Sequence, residues 1–213
     1  MAVFGIDEAG KGPVLGPMVA ASVAVPEDTV LPERIDDSKR LTPARRKELA
    51  SALRADERIA VGVGTIEPSR IDDPETDMNT LTVEAHAEAA RSVVRAGMEG
   101  ICDAADVDVD RFARRVAERL PDVDLVAEHR ADETHRVVSA ASVIAKVERD
   151  ARVRTLAEEY GAVGSGYPSD PTTREFLADY VADNGELPAC ARASWKTCED
   201  VLAAADQRTL SEF

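Results

Sequence analysis

Two neighbouring carboxylates, Asp7 and Glu8, stand inside the run Gly5-Ile6-Asp7-Glu8-Ala9-Gly10-Lys11-Gly12-Pro13. Val3 to Asp7 reads as a short apolar strand, and the glycines that follow read as a turn. Alternation along a strand sends adjacent side chains to opposite faces. The pair can therefore share one site only where the strand stops and the chain turns. Gly100 to Asp103 repeats the design, a short apolar strand ending in an acid, with Asp106, Asp108 and Asp110 close behind. A third strand, Asp124 to Ala127, runs into Glu128-His129-Arg130-Ala131-Asp132. In α/β sheets, ligand sites gather at the carboxyl ends of strands. Carboxylates converging there raise one another's pKa values unless a cation sits among them. Oxygen-only donors suit Mg²⁺ or Mn²⁺, and two such ions about 4 Å apart support in-line phosphoryl displacement. In a chain this acidic, strand-end acids also arise by chance. Spacing alone leaves open a set of plain surface acids, and leaves open which of Asp103, Asp106, Asp108 and Asp110 would belong to a site.

Other segments suggest contacts with a phosphate-bearing ligand. Gly10-Lys11-Gly12 can expose backbone N–H groups as an anion-binding nest, although neither GxxxxGK[ST] nor GxGxxG is present; a tight turn between strands is the alternative. Ser38 and Lys39 lie in a loop before a capped helix and suit a phosphate contact or a solvated loop equally. Tyr167 is one of three tyrosines and sits in the glycine-rich segment Gly164 to Asp170. That position suits stacking on a base or sugar, or packing on its own helix. His86, His129 and His135 have no metal-ligand spacing. His129, beside the acids, would serve proton movement or, more simply, a structural hydrogen bond.

The elements that must position these residues alternate between strand and helix. Met18 to Val25 and Ile59 to Val63 read as further strands. Thr42 to Leu53 reads as a helix, with Thr42 as N-cap and Pro43 at the first helical position. Leu81 to Ala96, a segment near Val109 to Leu120, and Ser139 to Tyr160 read as helices, and the chain from Thr172 onward is mostly helical. This order predicts an α/β domain: a catalytic unit over 1–170, a helical C-terminal lobe over 171–206 and a flexible tail over 207–213.

At 44% apolar residues the chain can bury a real core. It has no apolar stretch near the roughly 20 residues of a membrane span, and its start resembles a core strand rather than a leader. These features predict a cytoplasmic monomer with no membrane contact. Three cysteines without a CxxC pair argue against disulfides and a cysteine zinc site. Net charge is −15, and only five of the 26 basic residues are lysine. Apolar periodicity runs almost end to end, so disorder is rejected. A fold adapted to concentrated salt is the better account, since at ~1 M salt the Debye length is about 3 Å. The charge lowers the expectation of nucleic-acid binding without excluding a local basic cleft.

Taken in order, several segments resemble ribonuclease HII, closest to its archaeal branch. They are GIDEAGKGPVLGPMV at the start, DSKRLT at Asp37 to Thr42, DAADVD at Asp103 to Asp108, EHRADETHRVVSAASVIAKVERD at Glu128 to Asp150, GSGYPSDPTT at Gly164 to Thr173 and SWKT at Ser194 to Thr197. The resemblance spans nearly the whole chain. It implies an RNase H-like core with a mixed sheet flanked by helices, plus a C-terminal helical extension. It implies catalytic, metal-binding carboxylates at Asp7, Glu8, Asp103 and Asp132, with Mg²⁺ or Mn²⁺ as cofactor. It implies that Gly10, Lys11 and Gly12 read the ribose 2′-OH and adjoining phosphate, that Tyr167 stacks at an RNA–DNA junction, and that Ser38 and Lys39 touch the nucleic-acid backbone. The implied substrates are RNA/DNA hybrids and duplex DNA carrying ribonucleotides. Lys11 departs from the arginine usual between the two glycines, which matters only if a bidentate fork on phosphate is needed.

The last seven residues place Gln207, Leu210 and Phe213 at a spacing that resembles the box by which proteins dock on the replication sliding clamp. A frayed helix end is the alternative. Two other functions fit the sequence less well. An actin-like or sugar-kinase-like ATPase needs a second phosphate loop, which is not found. A non-catalytic hybrid-binding protein would not need four acids at the positions just named.

Overall fold

The computed structural model describes residues 2–33, 35 and 41–211. Among the described residues, five strands form one mixed sheet: β1 (Val3–Ala9), β2 (Met18–Val25), β3 (Ala60–Ile66), β4 (Glu99–Asp103) and β5 (Asp124–Glu128), in the spatial order β3-β2-β1-β4-β5. The first three are an antiparallel meander, while β4 joins β1 and β5 joins β4 in parallel. Every residue of β2 is buried, which explains why its sequence is apolar but for Ser22: a strand covered on both faces has no polar side to show.

Helices cover both faces. α1 (Pro43–Ala55) and the long α5 (Arg136–Tyr160) lie on one; α3 (Met78–Arg91) and α4 (Val109–Ala117) lie on the other, with the short α2 (Pro68–Ile71) before α3. Strand alternation then fixes which side chain meets which helix. Val3 packs with the cluster around α5, whereas Phe4 and Ile6 pack with Val83, Ala90, Phe112 and Val116 of α3 and α4. At Gly5 the α5 backbone lies directly on the strand. A Cβ there would stand 2.5 Å from the Val137 carbonyl carbon, so glycine is required by close approach of main chain.

α6 (Pro171–Asn184) and α7 (Lys196–Ser211) complete the chain. Leu177, Cys190 and Cys198 from this region share a buried cluster with Val14 and Leu15, which follow the first strand. The helical C-terminal region thus packs beside the Gly10–Gly12 turn. Among the described residues, the three cysteines are free and buried and no helix is long and apolar enough to cross a membrane.

Candidate active site

β1 outruns its parallel neighbour. Its pairing with β4 ends at Ile6 opposite Cys102, while its pairing with β2 continues through Asp7, Glu8 and Ala9. The strand therefore does not stop at Asp7 as the sequence suggested. Asp7 and Glu8 remain on opposite faces, and what gathers the acids is the end of β4. Asp103 is its last residue and lies in the row beside Asp7, neighbouring strands being about 4.8 Å apart. Asp132 follows β5 in the 3-10 turn Ala131–Glu133, entered through Arg130 in the left-handed region at φ 61°.

Each acid has its own environment. Asp7 and Asp132 are buried. Asp7 accepts from the Glu8 amide at 2.7 Å and from the Ser142 hydroxyl on α5, which in turn accepts from Lys146 Nζ at 2.7 Å. Glu8 reaches the other face, where its Oε2 lies 2.8 Å from Nε2 of the fully buried His86 on α3. The His86 ring meets Phe112 edge-on at 5.2 Å. Asp103 accepts from the Ala131 amide at 2.8 Å. Burial, then the charges of Glu8 and Asp103, hold the Asp7 carboxyl well above its ordinary range against the opposing pull of Ser142 and Lys146. Burial raises Asp103 too, with Glu8 and Asp132 adding to it and the Ala131 amide opposing.

The charge is gathered more closely than the oxygens are. Among the described residues, no group of three or more His, Cys, Asp or Glu side chains is placed to hold a metal ion as it stands. The carboxylates turn instead toward protein donors. The donor chemistry still fits a hard divalent cation. Oxygen ligands predominate, and mutually repelling carboxylates are the arrangement that a cation relieves.

The Gly10–Gly12 turn lies just beyond. Its carbonyls are all taken: Gly10 O and Lys11 O accept from Arg192 at 2.6 and 2.9 Å, and Gly12 O accepts from Trp195 Nε1 at 3.3 Å. The Lys11 and Gly12 amides donate to no acceptor among the described residues. A Cβ on Gly12 would meet nothing within 4 Å, whereas one on Gly10, at φ +85°, would stand 2.8 Å from Arg149 Nε. Lys11 Nζ donates to Ala105 O at 2.7 Å and to Asn79 Oδ1 at 3.4 Å, which ties the turn to the loop after β4. Tyr167 is 43% exposed, and its inner face lies over the Arg149 guanidinium at 5.3 Å. Gly166 O accepts from the Val14 and Leu15 amides at 2.7 and 3.2 Å, so the tyrosine loop and the glycine turn are one structure.

Sequence reasoning alone assigns no role to Arg149, His86, Ser142, Lys146, Arg192 or Trp195. Ser139, Ser142, Lys146 and Arg149 do carry a signal: they recur every three or four residues as a polar stripe on a helix whose first half is buried. His129 is exposed, and the histidine that touches the acids is His86. Ser38, Lys39 and Phe213 lie outside the described residues. Leu210 falls in the last turn of α7, and Gln207 is exposed on the same helix.

The family model for ribonuclease HII matches residues 4–198. The chain belongs to the ribonuclease HII family. The ribonuclease HII of Haloarcula marismortui is 60% identical over 211 residues, covering 99% of each chain. The crystal structure of ribonuclease H2 from Pyrococcus horikoshii has a TM-score of 0.88 at 36% identity, over 97% of this chain and 100% of that one. The structure of the PCNA:RNase HII complex from Archaeoglobus fulgidus gives 0.83 at 39% identity, over 92% and 96%. The fold is accordingly the RNase H-like one, its mixed sheet flanked by helices and extended by helices at the C-terminal end. The chain is a ribonuclease H, a hydrolase that cleaves RNA in hybrids with DNA.

Proposed function

We propose that this ribonuclease HII cuts on the 5′ side of a ribonucleotide, both in RNA/DNA hybrids and where a single ribonucleotide is embedded in duplex DNA, leaving 3′-OH and 5′-phosphate ends. Asp7, Glu8, Asp103 and Asp132 would hold divalent cations, Mg²⁺ or Mn²⁺, which when bound supply an activated water and charge stabilisation for the leaving 3′ oxygen. The observation that carries this reading is the buried, charge-crowded Asp7 beside Glu8 and Asp103. His86 orients Glu8 from one face, and Ser142 with Lys146 orients Asp7 from the other.

Substrate choice rests on the 2′-OH, the group that separates RNA from DNA. The amides of Lys11 and Gly12, which donate to no acceptor among the described residues, suit a ribose hydroxyl or its neighbouring phosphate. The exposed face of Tyr167, backed by Arg149, suits stacking on a sugar or base. Ser38 and Lys39 are assigned to the nucleic-acid backbone. Because Lys11 Nζ is already engaged, its backbone carries the reading, and the exchange of arginine for lysine there costs little.

The catalytic unit is taken as 1–170 and the helical lobe as 171–206; 207–213, whose first part continues α7 to Ser211, is taken as the docking tail. The Archaeoglobus fulgidus relative is seen in complex with PCNA. By that likeness Gln207, Leu210 and Phe213 are assigned to docking on the sliding clamp. Removing 207–213 should abolish clamp binding in a pull-down and leave cleavage of short duplexes unchanged; undiminished clamp binding would refute the assignment.

The test of the main reading uses a labelled duplex with one ribonucleotide. A single cut on its 5′ side, abolished by EDTA, is expected. Asp7→Asn should lower the rate by on the order of a thousandfold. Near-normal cutting by that variant would remove the site proposed here.

A further inference from the structure

The residues that hold the Gly10–Lys11–Gly12 turn come from 181 to 183 residues further along the chain. Arg192 is fully buried, and it spends its guanidinium on main-chain oxygens alone: Gly10 O at 2.6 Å, Lys11 O at 2.9 Å and Gly16 O at 3.0 Å. Trp195 lies under the same guanidinium at 5.1 Å and gives its indole N–H to Gly12 O at 3.3 Å. The segment is itself anchored. The Arg192 amide donates to Val14 O at 2.8 Å, and Asp72, just after α2, accepts from the amides of Ala193 and Ser194 at 2.8 and 2.9 Å.

A buried guanidinium is an expensive way to fill space. Burial and the nearby Arg149 pull its pKa down to about 10, and an apolar side chain would pack at lower cost. What an apolar side chain cannot do is fix several carbonyls at once, which the fork of N–H groups on arginine does. With its three carbonyls drawn to the C-terminal segment, the turn is left, among the described residues, with the Lys11 and Gly12 amides unpaired and open space in front of Gly12.

We infer that Arg192 and Trp195 are positioning residues for ribose recognition: the C-terminal segment sets the orientation of the reading turn, so that discrimination of ribose from deoxyribose depends on side chains that touch no substrate. This rests on the turn reading the 2′-OH, as proposed above. A merely structural role would lower stability without changing preference, so preference is the quantity to measure.

The experiment compares two duplexes identical but for one ribonucleotide. Fluorescence anisotropy in EDTA, where no cut occurs, gives the ratio of their dissociation constants for the full-length protein. Arg192→Lys keeps a buried cation but loses the fork, and should cut the ribose preference by about tenfold; Trp195→Phe keeps a ring but loses one donor, and should cut it about threefold. If Arg192→Lys fails to fold, Trp195→Phe decides. A folded variant whose preference stays within about twofold of the parent's overturns the inference. A parent with no ribose preference overturns the reading of the turn itself, an outcome visible before any variant is made.

Discussion

At Asp7, burial and the charges of Glu8 and Asp103 act in one direction, and the carboxyl is held well above the 3.8 it has in an open chain. The folded state thus keeps a proton to higher pH than the unfolded state. The stability this contributes is fully present below the ordinary carboxylate range and is lost as pH rises through the folded value. Asparagine has nothing to ionise. In EDTA at pH 7, Asp7→Asn should therefore unfold at a higher temperature than the parent, and the gap should shrink as the pH approaches about 4. Adding Mg²⁺ or Mn²⁺ should raise the parent's midpoint more than the variant's, because a ligand that binds only the folded state stabilises it. A variant less stable than the parent at pH 7 would show that the crowding around Asp7 is already relieved by Ser142 and Lys146. The sequence displayed the acids of this site but not their partners. Glu8 and His86 are 78 residues apart, and nothing local in either segment joins them. With 41 acids in the chain, choosing Asp103 over its three acidic neighbours came from the ordered motifs, since spacing gave no reason.

The helices and strands place those side chains by close approach, and two glycines separate packing from recognition. Gly5 is needed because α5 lies against it; a Cβ would meet the Val137 carbonyl carbon at 2.5 Å and its oxygen at 2.6 Å. Gly5→Ala should cost about 3 kcal/mol and lower the unfolding midpoint by roughly 6–12 °C. Gly12 has no such neighbour, so Gly12→Ala should leave the midpoint within about 2 °C of the parent's. If a ribose comes close to the turn, the same change should slow cleavage at a single ribonucleotide by on the order of tenfold. Equal loss of stability in both variants, or unchanged cleavage by Gly12→Ala, would break the distinction. Element boundaries were legible where a cap marked them. Thr42 accepts from the Arg45 amide, and α1 starts at Pro43 as its sequence predicts. α5 starts three residues before the expected Ser139, because His135 at its N-cap makes no side-chain cap bond and leaves no mark in the sequence. β3 runs on to Ile66 through Gly62 and Gly64, where α3 backbone presses on the strand. These glycines admit the helix backbone at close approach.

For the molecule as a whole, the net charge of −15 and the proposed nucleic-acid substrate pull in opposite directions. At ~0.01 M salt the Debye length is about 30 Å, and the acidic shell repels both itself and the phosphates; at ~1 M it is about 3 Å and both repulsions are local. The unfolding midpoint should then rise with KCl, by about 10 °C between 0.05 and 2 M if the repulsion relieved is roughly 3–5 kcal/mol. Binding is the stricter case. A protein that holds 6–10 phosphates by lysine and arginine loses about a thousandfold or more in affinity between 50 and 200 mM salt. Here the 26 lysines and arginines are set among 41 acids, and several surface arginines are already held in ion pairs, which weakens that contact. The recognition proposed here uses two backbone amides and one aromatic face, neither of which depends on counterion release. The logarithm of affinity for a ribonucleotide-bearing duplex should therefore fall with the logarithm of KCl at a slope no steeper than about −3, with binding still measurable at ~1 M. Anisotropy titrations from 0.2 to 2 M KCl would decide it. A slope near −8 would mean that phosphate contacts carry the complex after all, and that Ser38, Lys39 and the surface arginines, rather than the turn and Tyr167, supply most of the affinity.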